Sequence, residues 1–104
     1  MIQVEIASNK KTGIHKILVK GHAGSGPEGH DLCCSAVSAI LFGGFNALSE
    51  NEAYHYDVKE GYACLTIDGE ASEQDKVVLM TIMIQLQTIE VSYPKNIEIQ
   101  LRKE

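Results

Sequence analysis

A chain of 104 residues with 44% apolar and 22% charged side chains is long enough for one domain with its own core and too short for two. That apolar content argues against wholesale disorder, and nine Lys and Arg against 14 Asp and Glu leave a formal charge of −5, which disfavours a strongly basic binder of phosphate backbones and suits a basic or neutral partner. No apolar run approaches the roughly 18 residues needed to cross a bilayer, and Met1 to Ile6 lacks a charged region followed by an apolar block, so neither membrane insertion nor export is expected.

Ile2, Val4 and Ile6 alternate with Gln3 and Glu5; turn formers fill 8–13, and a mainly apolar segment follows over 14–19, so the chain should open with a β-hairpin. Gly24, Gly26, Pro27 and Gly29 exclude both helix and central strand, and 21–30 reads as a mobile loop. Cys33, Val37, Ile40, Leu41, Gly44 and Leu48 then recur at helical spacing behind a candidate N-cap, Asp31, which predicts a helix over about 32–48. Tyr54, Tyr56 and Val58, then Ala63, Leu65 and Ile67, alternate with polar or smaller residues around a turn at Glu60-Gly61, giving a second hairpin. Ser72 can cap a second helix whose first turn holds Glu73 and Asp75 and whose apolar stripe is Leu79, Ile82, Met83, Leu86 and Ile89, ended by Tyr93-Pro94. Ile97, Ile99 and Leu101 mark a last half-buried strand.

The order ββαββαβ predicts an α+β fold: a two-layer domain over 1–104 whose five-stranded sheet is covered on one face by two helices. Gly43 and Gly44 inside the first helix cost roughly 1 kcal/mol each relative to Ala, so something must approach closely, either the sheet or a second subunit.

Chemistry concentrates at Gly21-His22 and at Gly29-His30-Asp31-Leu32-Cys33-Cys34-Ser35-Ala36, which bring a His, an Asp and a thiol to the opening of the first helix. With Asp31 as N-cap, Cys34 falls at the third helical position, among backbone N–H groups without intrahelical partners and at the positive end of the helix dipole. A thiol with a pKa near 8.5 is only a few per cent ionised at neutral pH, whereas one lowered toward about 6 is roughly 90% thiolate. Helical spacing places Cys33 on the packing face with Val37 and Leu41, and Cys34 on a second stripe with Asp31 and Ser38. Cys33 is therefore assigned to packing and Cys34 to chemistry. His22 closes a strand and can be held rigidly, which makes it a better base than His30. Asp31 could orient an imidazole or cap the helix.

Blander readings stand beside this one. A helical Cys is usually a small inert hydrophobe, and a His on a strand is usually structural. His22, His30, Asp31 and a cysteine have zinc-ligand chemistry without the usual spacing, and Cys33-Cys34 could bridge only with strain. Cys64 reads as sheet packing, His15 and His55 as exposed strand positions, and Met80 and Met83 as packing of the second helix. The Gly-rich loop lacks Gly-x-x-x-x-Gly-Lys-Ser/Thr and contains Glu28, so nucleotide binding is not expected.

Gly21-His22-Ala23 followed by Gly29-His30-Asp31 and Cys34-Ser35-Ala36-Val37-Ser38-Ala39 resembles the bacterial ribosomal-processing cysteine protease family, Prp, and the likeness extends through Leu86-Gln87-Thr88-Ile89 to essentially the whole chain. The resemblance implies a cytoplasmic, homodimeric endopeptidase that needs no cofactor or metal. Its substrate would be the N-terminal extension of a large-subunit ribosomal protein, without direct nucleic-acid or membrane binding. By match to the family's motif, His22 is the general base, Cys34 the nucleophile, Asp31 and Ser38 supporting residues, and Gly24, Gly26, Gly29 and His30 the substrate loop. Cys33 stands where the family commonly has an aliphatic residue. The alternative is a non-catalytic module that docks on ribosomal or other protein surfaces.

Overall fold

The structure, a computed structural model, describes residues 1–22 and 31–104. Alternating apolar residues build β1 (Ile2–Asn9), β2 (Gly13–Lys20), β3 (Tyr54–Lys59), β4 (Tyr62–Ile67) and β5 (Ile97–Lys103), and the two amphipathic segments form α1 (Leu32–Ala47) and α2 (Glu73–Ser92). The order is the ββαββαβ expected from the sequence. The strands lie in the order β3-β4-β2-β1-β5, antiparallel except for the parallel pair β1 and β5.

Register explains the core. Val4 stands beside Val19 and Ile99, and Val19 beside Ala63; Ile6 stands beside Ile17 and Leu101, and Ile17 beside Leu65. These rows form one apolar face against which the helices pack, and their middle members are buried. The rows fade at the sheet edges: Leu101 on β5 and Tyr56 and Val58 on β3 are exposed, because an edge strand has a neighbour on only one side.

The first turn is shorter than its composition suggests. β1 runs on to Asn9, leaving 10–12 to reverse the chain, and the Asn9 side-chain oxygen accepts from Thr12 N–H at 2.6 Å and from its hydroxyl at 2.9 Å. His15, expected to be exposed, is half-buried, with its Nε2 3.7 Å from the carboxylate of Glu104, whose N–H donates to the Ser8 carbonyl. His55 is exposed as expected and pairs with Asp68 at 2.9 Å.

On α1, Cys33, Val37, Leu41 and Phe45 are buried; on α2, Leu79, Ile82 and Leu86 are. Met83 packs against this core, whereas Met80, expected to do the same, is exposed because it lies off the Leu79-Ile82-Leu86 stripe. The two glycines of α1 differ. A Cβ on Gly44 would collide with the side chain of Ile82, so the close approach is to α2 rather than to the sheet; a Cβ on Gly43 would meet nothing within 4 Å.

At the far end of α1, Asp75 is buried at 2% exposure and tied on all sides. Its carboxylate accepts from Ser49 N–H at 3.2 Å, Ser49 Oγ at 2.5 Å and the Tyr54 hydroxyl at 2.6 Å, and its own N–H donates to the N-cap Ser72 Oγ. Burial alone would raise its pKa, but the hydrogen bonds from Ser49 and Tyr54 outweigh that and hold it below the ordinary carboxylate range.

Candidate active site

The end of β2 is pinned where the chain leaves the sheet. Gly21 has φ +96°, and a Cβ there would strike the Met1 carbonyl oxygen, so the turn admits only glycine. Its N–H donates to the Gly61 carbonyl at 3.0 Å, which anchors the next residue, His22, against the β3–β4 turn. Gly61, at φ +70°, lies directly under the imidazole: a Cβ there would sit 3.3 Å from His22 Nε2.

The helix start follows the capping expectation. Asp31 is the N-cap, and its Oδ1 accepts from Cys34 N–H at 3.0 Å, while Ser35 N–H donates to the Asp31 carbonyl. Cys34 thus occupies the third helical position and is half-buried, and Ser38 lies exposed one turn later. Cys33 points the other way, fully buried in the core. Burial pushes the Cys33 thiol pKa up, and the negative charge of Asp31, then of Cys34, adds to the rise. Two adjacent cysteines therefore have opposite settings: one sealed against ionisation, the other facing a cleft. Cys64 is buried within β4, as expected.

That cleft, of about 170 Å³, is lined by His22, Cys34 and Ser38 together. Buried Ile2, Val19, Val37, Leu41 and Ala63 close it from below, and Phe42, Lys59 and Tyr62 complete its walls. It combines a thiol at a helix N-terminus with an imidazole and an apolar floor, parts that acyl transfer can use; His22, expected to close a strand, lies two residues beyond the end of β2, after the turn at Gly21. The Cys34 N–H is engaged by Asp31, so an oxyanion formed here would draw on other amides of the first turn.

The family whose description is Cysteine protease Prp matches residues 1–98. The chain belongs to the Prp cysteine protease family. The ribosomal processing cysteine protease Prp of Staphylococcus aureus is 33% identical over 106 residues, covering 98% of this chain and 100% of the relative. The fold matches the crystal structure of an essential ribosomal processing protease Prp from S. aureus with a covalently linked product peptide, at a TM-score of 0.83, 33% identity and complete coverage of both chains. A second S. aureus Prp structure, with a substrate peptide, matches at a TM-score of 0.78 and 28% identity over 98% of this chain and 100% of that one.

Of the residues singled out from the Prp-like motifs, His22, Cys34 and Ser38 share the cleft and Asp31 borders it through its bond to Cys34. Gly24, Gly26, Gly29 and His30, assigned to the substrate loop, lie outside the described residues, as does most of the 21–30 segment read as a loop. Among the described residues no three His, Cys, Asp or Glu side chains cluster as a metal site would require; His30, which the zinc alternative uses, is not among them. Sequence reading missed the contribution of the second hairpin: Lys59, Gly61 and Tyr62 reach the cleft because β4 pairs with β2. The positive-φ glycine at the Glu60-Gly61 turn was the one local signal, and it reveals a turn without revealing what the turn faces.

Proposed function

We propose that this chain is a cysteine endopeptidase that removes a short N-terminal extension from a large-subunit ribosomal protein, acting as a single catalytic domain over 1–104, in the cytoplasm and as a homodimer. The observation that supports this most is the shared cleft of His22 and Cys34, with Cys34 at the helix start and His22 just beyond β2 against the β3–β4 turn, in a chain of the Prp family. The names of its S. aureus relatives, and their structures with substrate and product peptides, supply the substrate class.

In this reading the Cys34 thiolate attacks the scissile carbonyl carbon, forming a C–S bond and an oxyanion held by first-turn amides. His22, protonated, gives its proton to the leaving nitrogen; the C–N bond breaks and the mature protein departs with a new N-terminus. Water, losing a proton to His22, then adds to the thioester, the C–S bond breaks, and the extension leaves as a carboxylate. Asp31 keeps the helix start in register, Ser38 supports the cleft wall, and Gly24, Gly26, Gly29 and His30 contact the peptide. The protein's charge of −5 suits a basic substrate, so cleavage should slow as salt rises.

Incubation with the extended and the mature forms of the ribosomal protein, followed by intact-mass measurement, tests the reading. One defined mass loss from the extended form alone is expected; no loss, with tight binding that survives thiol alkylation, would favour a docking module instead.

A further inference from the structure

In a two-layer fold the side of the helices turned away from the sheet ordinarily carries the charged residues that keep it in water. Here it does not. α1 contains no Asp, Glu, Lys or Arg, and α2 contains none from Val77 to Ile89, in a chain of which 22% is charged. The outer side of α2 is apolar instead: Val77, Met80, Ile84 and Val91 are between 47% and 82% exposed. Val77, Ile84 and Val91 recur every seven residues, so they form one line about 21 Å long, opposite the buried line of Leu79, Ile82 and Leu86. A surface helix needs one apolar stripe, and this one has a second that faces solvent. Beside it on α1, Ala39 and Gly43 are exposed, and nothing within 4 Å of a Cβ at Gly43 accounts for a glycine inside a helix.

We infer that this line is the seam between subunits: α2 packs antiparallel on α2 of a second copy, across a two-fold axis at Ile84. This rests on the homodimeric part of the reading above and not on its chemistry. The occupant follows from the pattern of the line itself. Ile84 is its midpoint, so an antiparallel copy sets Ile84 against the partner's Ile84 and Val77 against the partner's Val91, the self-complementarity that a two-fold contact demands. Charge agrees. The chain carries −5, so two copies repel wherever acidic surfaces meet and associate best through a neutral face. Beyond the neutral line, Glu73 bonds Lys76 on its own helix yet keeps its side chain 92% exposed. The antiparallel arrangement brings it level with the segment after the partner's α2, where Lys95 is exposed and forms no ion pair among the described residues. A parallel pair would set Glu73 against the partner's Glu73. Area suffices when both helices take part: outer sides about 30 Å long for α2 and about 24 Å for α1, each about 10 Å wide, give about 500 Å² per copy and about 1,000 Å² across the pair, the threshold for a specific interface.

The test is the mass of the full chain in solution together with the pattern of cross-links across the seam. Sedimentation equilibrium of the unsubstituted chain should give twice the 11.4 kDa chain mass. Ile84→Glu sets two carboxylates against each other on the axis and should raise the dissociation constant by about a hundredfold or more, giving the single-chain mass at micromolar concentration with an unchanged far-UV spectrum. Leu101→Glu, at an equally exposed apolar residue on β5, should leave the dimer intact. Cross-links fix the orientation without depending on how Ile84→Glu folds. With Cys34 replaced by Ser, and with Cys33 and Cys64 buried, Ile84→Cys should link to itself through a short bismaleimide. Val77→Cys and Val91→Cys should each stay unlinked alone and link when the two are mixed. A dimer that persists in Ile84→Glu or is lost in Leu101→Glu, or Val77→Cys linking to itself, overturns the seam while leaving the homodimer standing. An unsubstituted chain that sediments at 11.4 kDa overturns the homodimer and the seam together.

Discussion

The two ends of α1 hold polar groups under opposite regimes. At its C-terminal end the carboxylate of Asp75 is buried and saturated with donors from Ser49 and Tyr54, which join the segment after α1 and the start of β3 to the start of α2. At its N-terminal end His22 and Ser38 are exposed and Cys34 half-buried, around an open cleft. A satisfied buried network contributes stability and rigidity, whereas groups that must meet a substrate have to be left accessible. The same helix thus carries a structural knot at one end and an open mouth at the other. Changes at the knot should unfold the protein without specific effects on chemistry, and changes at the mouth should do the reverse.

The largest effect is expected at the mouth. Cys34→Ala or His22→Ala should lower cleavage of the extended substrate by on the order of a thousandfold or more with little change in melting temperature. Cys33→Ala should still cleave, because its thiol is sealed in the core; equal loss in all three variants would erase the distinction between the neighbours. Next comes the knot. Asp75→Ala leaves the Tyr54 and Ser49 hydroxyls without their acceptor and should cost about 2–4 kcal/mol, seen as a fall in the denaturant midpoint.

The knot also has a pH signature. Because the folded-state pKa of Asp75 is depressed, its contribution is fully present above the ordinary carboxylate pKa, near 3.9 unfolded, and is lost as pH falls through the lower folded value. Thermal melts between about pH 5 and pH 2 should show stability declining with acid, with a shallower decline in Asp75→Asn. Smaller still is the contrast between the two glycines. Gly44→Ala should destabilise by about 1–3 kcal/mol through overpacking against Ile82, whereas Gly43→Ala should stabilise by up to about 1 kcal/mol in the isolated chain. Matching effects at the two positions would contradict the asymmetric helix contact.

Much of this was readable from the chain. Period-two and period-3.6 patterns are local, and they delivered all seven elements, both N-caps and the different burial of Cys33 and Cys34, since one residue of helix turns a side chain by about 100°. What escaped depends on contacts distant in sequence. Asp75 reads as an ordinary first-turn acid, and only the fold brings Ser49 and Tyr54 to it. The β3–β4 turn at Gly61 borders the cleft because β4 lies beside β2, a pairing that no spacing within the second hairpin specifies. The exposure of Met80 and the partial burial of His15 likewise turn on neighbours that local periodicity does not register.

The most direct measurement is to quench the enzyme with acid during turnover of the extended ribosomal protein and to map any covalent adduct by peptide mass spectrometry. An adduct with the mass of the released extension less one water, carried on the peptide at Cys34 and abolished in Cys34→Ala, is the expected result. An adduct on Cys33 or Cys64, or undiminished cleavage by Cys34→Ala, would contradict it.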